Sequence, residues 1–284
     1  MPASLPTVVV AVFNSIAALD ACVASLERTL PAGTKVLIAD DASSDPQVEP
    51  LARGWCNRSK LEARYVRRER SLGLAANCNA AIEESGSDDL VLLGVDSVTT
   101  PGWLQQVARC AAGDRRIATV ATWSNHADLC SFPRFGEANP APEFPEAIAE
   151  AAASVAWPTC PELPAAVGSC LFLRRDALRQ IGNLDADTFA GARALDDFCR
   201  RAAAMGWNNV LCPAAFVVRD QYDAPAHPSS IDSDGLATLV ARWPDFQEQV
   251  AKFILSDPLR PLRERLLTRI DELARSGPQR DLFN

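Results

Sequence analysis

The chain has 284 residues, 48% of them hydrophobic and 23% charged, with a formal net charge of −8. That length can bury a large core and suits one α/β domain of about 200–250 residues with an appendage better than two equal domains. The acidic balance argues against a nucleic-acid partner, because neutralising phosphates takes clustered Lys and Arg.

From the N-terminus, TVVVAV at 7–12 reads as a strand, 17–30 as a helix and KVLIA at 35–39 as a second strand. A helix near 46–56, a strand at 62–66, a helix at 74–85 and a strand at 89–93 continue the alternation. The strands are nearly unbroken apolar runs, as expected where helices cover both faces of a parallel sheet. Pro101 suits a helix start, since its missing N–H costs nothing there, and a helix over 102–112 followed by a strand at 117–121 is expected. Residues 132–165, rich in Pro, Ala and Glu, interrupt the rhythm with one helix at 147–156. The segment 165–175 then reads as a strand, 176–181 and 195–205 as helices, and 209–212 and 215–219 as two short strands. Residues 1–222 are thus expected to form the α/β domain, with 132–165 inserted, and 223–284 a helical extension. The extension carries Leu262, Leu266, Leu267, Ile270 and Leu273 at helical spacing. That stripe is expected to dock on its own core, with a homodimer contact as the alternative.

Nine cysteines are scattered without a metal-ligand spacing and should serve as small buried hydrophobes. The first apolar run, Thr7 to Val12, is far too short for a secretory leader or a membrane span, so a reducing, cytoplasmic setting is expected.

Ligands of open α/β sheets bind beyond the carboxyl ends of the strands. Asp40 and Asp41 follow one strand there, and Asp96 follows another beside Ser97, Thr99 and Thr100. Asp40 and Asp41 are candidates to accept from a ribose hydroxyl or a base N–H, or else turn formers with Ser43, Ser44 and Asp45. Asp96 is a candidate ligand for Mg²⁺ or Mn²⁺, or else a cap. The clusters Arg67, Arg68, Arg70 and Arg174, Arg175 are candidate anion sites or solvated faces, and His126 an acceptor-side group or a loop histidine. Trp103, Trp123 and Trp157 are sugar platforms or core residues.

Six segments in order resemble the inverting family 2 glycosyltransferases with the GT-A fold. They are AVFN at 11–14, ADDASSD at 39–45, SLGLAANCNAAIEES at 71–85, LLGVDSVTTPGWL at 92–104, GSCLFLRRDALRQIGNLD at 168–185 and LDDFCRRAAAMGWNNVLCPAAFVV at 195–218. The resemblance covers roughly residues 5–220. It implies transfer of a sugar from a nucleotide-diphosphate donor, with UDP ahead of dTDP and GDP, to an acceptor hydroxyl on a glycan, lipid-linked or protein acceptor. A role in polysaccharide biosynthesis follows by the same analogy. Phe13, Asn14, Asp40 and Asp41 would hold the nucleotide, Asn79 would lie near the donor, Asp96 would meet the metal, and Asp196 or Asp197 would be the general base.

Three departures from the family pattern stand out. The metal motif reads Gly94, Val95, Asp96, with one carboxylate where the family commonly has two acidic or amide positions. The run GARALDDFC places Ala194 and Leu195 ahead of Asp196. Arg219 stands where many relatives carry a metal-binding histidine, and its guanidinium would pair with the diphosphate instead. These departures keep a second reading open, a catalytically impaired relative acting as a binding or assembly module. A nucleotidyltransferase is disfavoured, because no Gly-rich phosphate loop with a Lys follows the first strand.

Overall fold

The computed structural model describes residues 4–165, 168–220 and 235–276. Strands β1 (Thr7–Val12), β2 (Lys35–Asp40), β3 (Glu62–Arg67) and β4 (Leu90–Gly94) alternate with helices α1 (Ile16–Thr29), α2 (Val48–Arg58) and α3 (Leu74–Glu84). They are followed by β5 (Ser97–Thr99), α4 (Trp103–Gly113), β6 (Ile117–Trp123), α5 (Pro145–Ser154), β7 (Cys170–Leu173), α6 (Arg175–Ile181), α7 (Arg193–Ala204) and β8 (Asn208–Arg219). Helices α8 (Gly235–Arg242), α9 (Phe246–Ser256) and α10 (Arg260–Ser276) end the described chain.

The eight strands form one sheet in the order β3-β2-β1-β4-β7-β6-β8-β5. β1 runs parallel to β2 and β4, β2 to β3, and β6 to β8, while β7 and β5 run antiparallel to their neighbours. The parallel strands therefore deliver Val12, Asp40, Gly94, Trp123 and Arg219 to one carboxyl edge. Alternate residues of β1 serve opposite faces: Val8, Val10 and Val12 pack with α1, α2 and α4, and Val9 packs with α3, α5, α7 and the tail. Only a strand covered on both sides needs apolar side chains in both directions. β3, at the sheet's margin, is half-exposed and accordingly mixed in sequence.

The structure differs from the sequence expectation at four places, the first being the strand expected at 165–175, which spans only Cys170–Leu173 because α6 begins at Arg175. The two strands expected at 209–212 and 215–219 are one, interrupted by a register shift between Cys212 and Phe216 where Pro213 offers no N–H to the ladder. Helix α4 starts at Trp103 rather than directly at Pro101, because Gly102 takes a left-handed φ of 78° that no helix interior accepts. β5, with three residues and one turn-rich flank, escaped the pattern altogether.

The tail stripe is buried against the protein's own core: Leu266 has 0% exposure, and Leu262, Ile270 and Leu273 pack on the same cluster as Ala151 and Ala152 of α5. Leu267 is instead exposed. Among the described residues no helix is long and apolar enough to cross a membrane. Leu266→Ala is expected to cost about 3 kcal/mol, the usual scale for truncating a buried Leu, and chemical denaturation should still show one transition, since α10 shares the main core.

Candidate functional site

The carboxyl edge is built from two tethered loop systems. In the first, Asn14 and Ser15 follow β1 in left-handed conformations (φ 56° and 61°), and Ala42 follows β2 with φ 57°. Non-glycine residues resist this region, so each must be held. The Asn14 N–H donates to Ser43 Oγ at 2.7 Å, and Asn14 Oδ1 accepts from the N–H of Ser44 at 2.8 Å and of Asp45 at 3.0 Å. Phe13 lies half-buried at the base of the same loop.

Asp40 has 0% exposure. Its Oδ1 accepts from Ser43 N–H at 2.9 Å and from the Ser43 hydroxyl, and its Oδ2 from Tyr65 Oη and from Arg67 Nη1 at 2.9 Å. Asp41, 1% exposed, holds the next loop: Oδ1 accepts from Leu72 N–H at 2.7 Å, and Oδ2 from Gly73 N–H at 2.9 Å and Ser71 Oγ at 2.8 Å. Gly73 needs its φ of 91° to present that N–H at the head of α3. Both carboxylates thus shape the loops that line the edge. Tyr65, the residue that caps Asp40, has its phenol pushed up out of the ordinary range by burial and by the adjacent carboxylate.

The second system centres on Asp96 and Arg219. Arg219 Nε donates to Asp96 Oδ2 at 2.7 Å, with the two side chains 39% and 30% exposed. Backbone contacts fix the pair: β5 aligns Ser97 with Arg219, and Asp220 N–H donates to the Asp96 carbonyl at 2.8 Å. Buried Asn125, just past β6, grips Arg219 on both sides, accepting from its N–H at 2.8 Å and donating to its carbonyl at 2.9 Å. Gly94 is needed for close approach, because a Cβ there would sit 2.7 Å from Asp96 Oδ1 and 3.1 Å from Ser169 Cβ. The donor set does not make a protein-held metal site: the one carboxylate is already bound by a guanidinium, and among the described residues no group of three His, Cys, Asp or Glu could hold an ion.

Helix α7 carries the adjacent acids Asp196 and Asp197, which a helix sends in different directions. Asp197, with 0% exposure, accepts from Arg201 Nε at 2.7 Å and from Arg242 Nη1 and Trp243 Nε1 of the tail at 3.0 Å each. Asp196 is 5% exposed and accepts from Arg193 Nη1 at 2.8 Å. Burial raises its carboxyl to about 6 despite Arg193, and the charge of Asp128, in the loop after β6, adds to the rise. The Ala75 N–H at the head of α3 donates to the Ala190 carbonyl at 3.1 Å, which ties the loop leading into α7 to the carboxyl edge. Asn79 turns to the backbone of Leu184, accepting at 3.0 Å and donating at 2.8 Å, and so braces the approach to α7.

A model of the glycosyl transferase family 2 matches residues 7–182. The chain belongs to glycosyl transferase family 2. The match stops short of α7, so the pair Asp196 and Asp197 lies outside it. Among solved structures the fold is similar to a mannosyltransferase, PcManGT from Pyrobaculum calidifontis, in complex with GDP-Man and Mn²⁺ (TM-score 0.63, 17% identity, covering 97% of this chain and 77% of that one). It is also similar to GalNAc-T7 with UDP, GalNAc and Mn²⁺ (TM-score 0.61, 15% identity, covering 86% of this chain and 50% of that one). S. aureus TarS aligns with TM-score 0.55 and 15% identity over 94% of this chain and 43% of its own. The chain thus spans half or less of the length of GalNAc-T7 and TarS. No curated protein matches the sequence. The fold is GT-A.

Within this family 2 domain, several sequence candidates prove structural. Arg67 serves Asp40, Arg68 pairs with Glu84, Arg174 donates to the carbonyls of Ile117, Ala111 and Asp114, and Arg175 to those of Asp88 and Ile82. Trp103 and Trp123 are fully buried, and Trp157 donates to the Ala152 carbonyl at 2.8 Å beneath the Arg265 guanidinium. His126 is half-buried beside Asn125. Tyr65, Arg193 and Asn125 were not singled out in the sequence; Asn125 sits one residue before His126 and carried the same signal, a polar side chain just after an apolar strand. Equilibrium denaturation should separate the two α7 acids. Asp197→Ala removes the buried acceptor shared by Arg201, Arg242 and Trp243 and leaves a void, and is expected to cost about 3 kcal/mol, whereas Asp196→Asn should cost under about 1 kcal/mol, its carboxyl being already disfavoured as an ion.

Proposed function

We propose that this domain is an inverting glycosyltransferase that moves a sugar from a nucleoside-diphosphate donor, UDP first, to an acceptor hydroxyl on a glycan, lipid-linked or protein acceptor. The observation that carries the reading is Asp196: a buried carboxyl, raised to about 6, in the first turn of a helix that opens onto the carboxyl edge. A general base works best when its pKa lies near the operating pH. Family membership and the nucleotides held by the two Mn²⁺-containing relatives support a nucleotide-sugar donor.

In this reading the tethered loops after β1 and β2, with Phe13 and Asn14 in front and Asp40 and Asp41 behind, form the wall for base and ribose. Asn79 and Asp197 hold α7 in place. Arg219 meets the leaving diphosphate: a half-exposed ion pair such as Asp96–Arg219 is worth only about 1 kcal/mol, so the guanidinium can exchange its carboxylate for phosphate oxygens at little cost. As the acceptor oxygen attacks the anomeric carbon from the face opposite the departing diphosphate, Asp196 takes the hydroxyl proton. Mg²⁺ or Mn²⁺, if carried in on the diphosphate, would find Asp96 as its one protein carboxylate.

The engagement of Asp96 by Arg219 favours a second reading as well, a nucleotide-binding module without turnover. Calorimetric titration with UDP, GDP and dTDP, in EDTA and with Mn²⁺, followed by a donor-hydrolysis assay, decides between them. Transferase function predicts binding that survives EDTA, weakens about tenfold or more in Arg219→Ala, and supports hydrolysis; binding without hydrolysis of any sugar donor selects the module, and no nucleotide binding at all overturns both. For an active enzyme, Asp196→Asn should lower kcat about 10² to 10⁴-fold. Because the ionised form is the base, kcat/KM should rise with pH through about 6. Arg193→Ala removes a contact that lowers this value, so the same limb should move to higher pH.

A further inference from the structure

The fold gathers three of the scattered cysteines at one point between α4 and β8. The Cys212 thiol on β8 donates to the Gln106 carbonyl (3.5 Å), one turn before Cys110 on α4. The chain returning from α5 runs beside β8: Leu211 N–H donates to the Pro161 carbonyl at 2.9 Å, Leu163 N–H to the Asn209 carbonyl at 2.8 Å, and Glu162 bridges Val210. Cys160, at the head of that segment, is thereby laid against the same spot. Continuing that antiparallel register sets Cys160 across from Cys212, whose thiol reaches back toward the turn of α4 before Cys110, and all three pack on one apolar cluster. Cys110 and Cys160 are half-buried, Cys212 fully buried. Cys56, the other half-buried thiol, lies apart on α2.

The three sulfurs are not equivalent. Cys110 donates its S–H toward Cys160, which holds Cys160 below the ordinary thiol value, while the hydrogen bonds to Cys160 and Cys212, with burial, push Cys110 up. The thiolate is the nucleophile in sulfur oxidation, and a neighbouring thiol resolves the product. Cys212 directs its S–H away to Gln106 whereas the Cys110 thiol faces Cys160, which makes Cys110 the resolving partner. The described residues form no group of three that could hold a metal ion.

We propose that Cys160 and Cys110 are a reversible oxidation site, closing to an intramolecular disulfide when the protein meets a peroxide. The Cys160 thiolate attacks one oxygen of hydrogen peroxide, the O–O bond breaks and hydroxide leaves, giving a sulfenic acid at Cys160. The Cys110 sulfur then attacks the Cys160 sulfur, the S–O bond breaks, and the departing oxygen leaves as water with the proton of Cys110. Two thiols and one peroxide thus become one disulfide and two waters, with the proton first lost from Cys160 neutralising the hydroxide. The bond would staple the end of the 132–165 segment to α4, beside β8, the strand whose far end carries Arg219.

The site is tested on the reduced full chain with excess hydrogen peroxide, read by intact mass and a non-reducing peptide map, and needs no assay of sugar transfer. The expected result is loss of two hydrogens, one new peptide pair joining Cys110 to Cys160, and full reversal by dithiothreitol. Cys110→Ser should accumulate a Cys160 sulfenic acid that dimedone captures, and Cys212→Ser should still form the bridge. Should Cys110→Ser fail to fold, iodoacetamide labelling of the wild-type chain remains decisive, with Cys160 expected to react faster than Cys56. A Cys160 that stays reduced, that runs on to sulfinic acid without cross-linking, that pairs with Cys56, or that labels more slowly than Cys56 overturns the proposal.

Discussion

Two adjacent carboxylates buried at the end of β2 must each be supplied with donors, because an ion removed from water without hydrogen bonds would cost many kcal/mol. Asp40 and Asp41 obtain theirs from different places, one from Ser43, Tyr65 and Arg67, the other from Ser71, Leu72 and Gly73. Satisfying that demand fixes the loop after β2, the end of β3 and the entry to α3 relative to one another. The αL residues Asn14, Ser15 and Ala42 are affordable only because this framework and the Asn14 contacts to Ser43, Ser44 and Asp45 hold them. The floor of the proposed nucleotide site is therefore set before any ligand arrives, which would keep the ordering entropy of binding small.

The opposite half of the edge follows a softer logic. Asp96 and Arg219 are each more than a quarter exposed, so water competes with their contact, while Asn125 holds the backbone of Arg219 firmly. A rigid stem with an exchangeable head group suits the role proposed for Arg219, releasing one anion to take another. The rigid and exchangeable halves meet at α7, where two buried neighbours differ in their donors: Asp197 is enclosed by three, and Asp196 has one.

Much of the scaffold was legible because both faces of a covered sheet ask for apolar residues, so β1, β2, β4 and the intervening helices announce themselves. β8 was read as two pieces because Pro213 looks like a strand end, and only its partner β6 shows that the ladder resumes after the bulge. The site was legible as a set of acids after strands, but not in its division of labour. Asp40, Asp41 and Asp197 are short of nothing once Tyr65, Arg67, Gly73 and Arg242 arrive from distant parts of the chain, and no local pattern marks those partners. The cysteine cluster was invisible for the same reason, its members Cys110, Cys160 and Cys212 lying far apart in the chain on α4, the segment after α5 and β8.

Arg242 and Trp243 have a consequence for modularity. They lie well beyond residue 182, where the match to the family ends, yet they close over Asp197 on the helix that carries the proposed base. Arg242 also reaches Asp185, on the turn that Asn79 braces. The C-terminal helices are thus a keystone rather than an appendage: a chimera that exchanged the sheet and its helices but left this tail behind would inherit the tethered loops intact and an α7 whose buried Asp197 keeps Arg201 alone of its three donors.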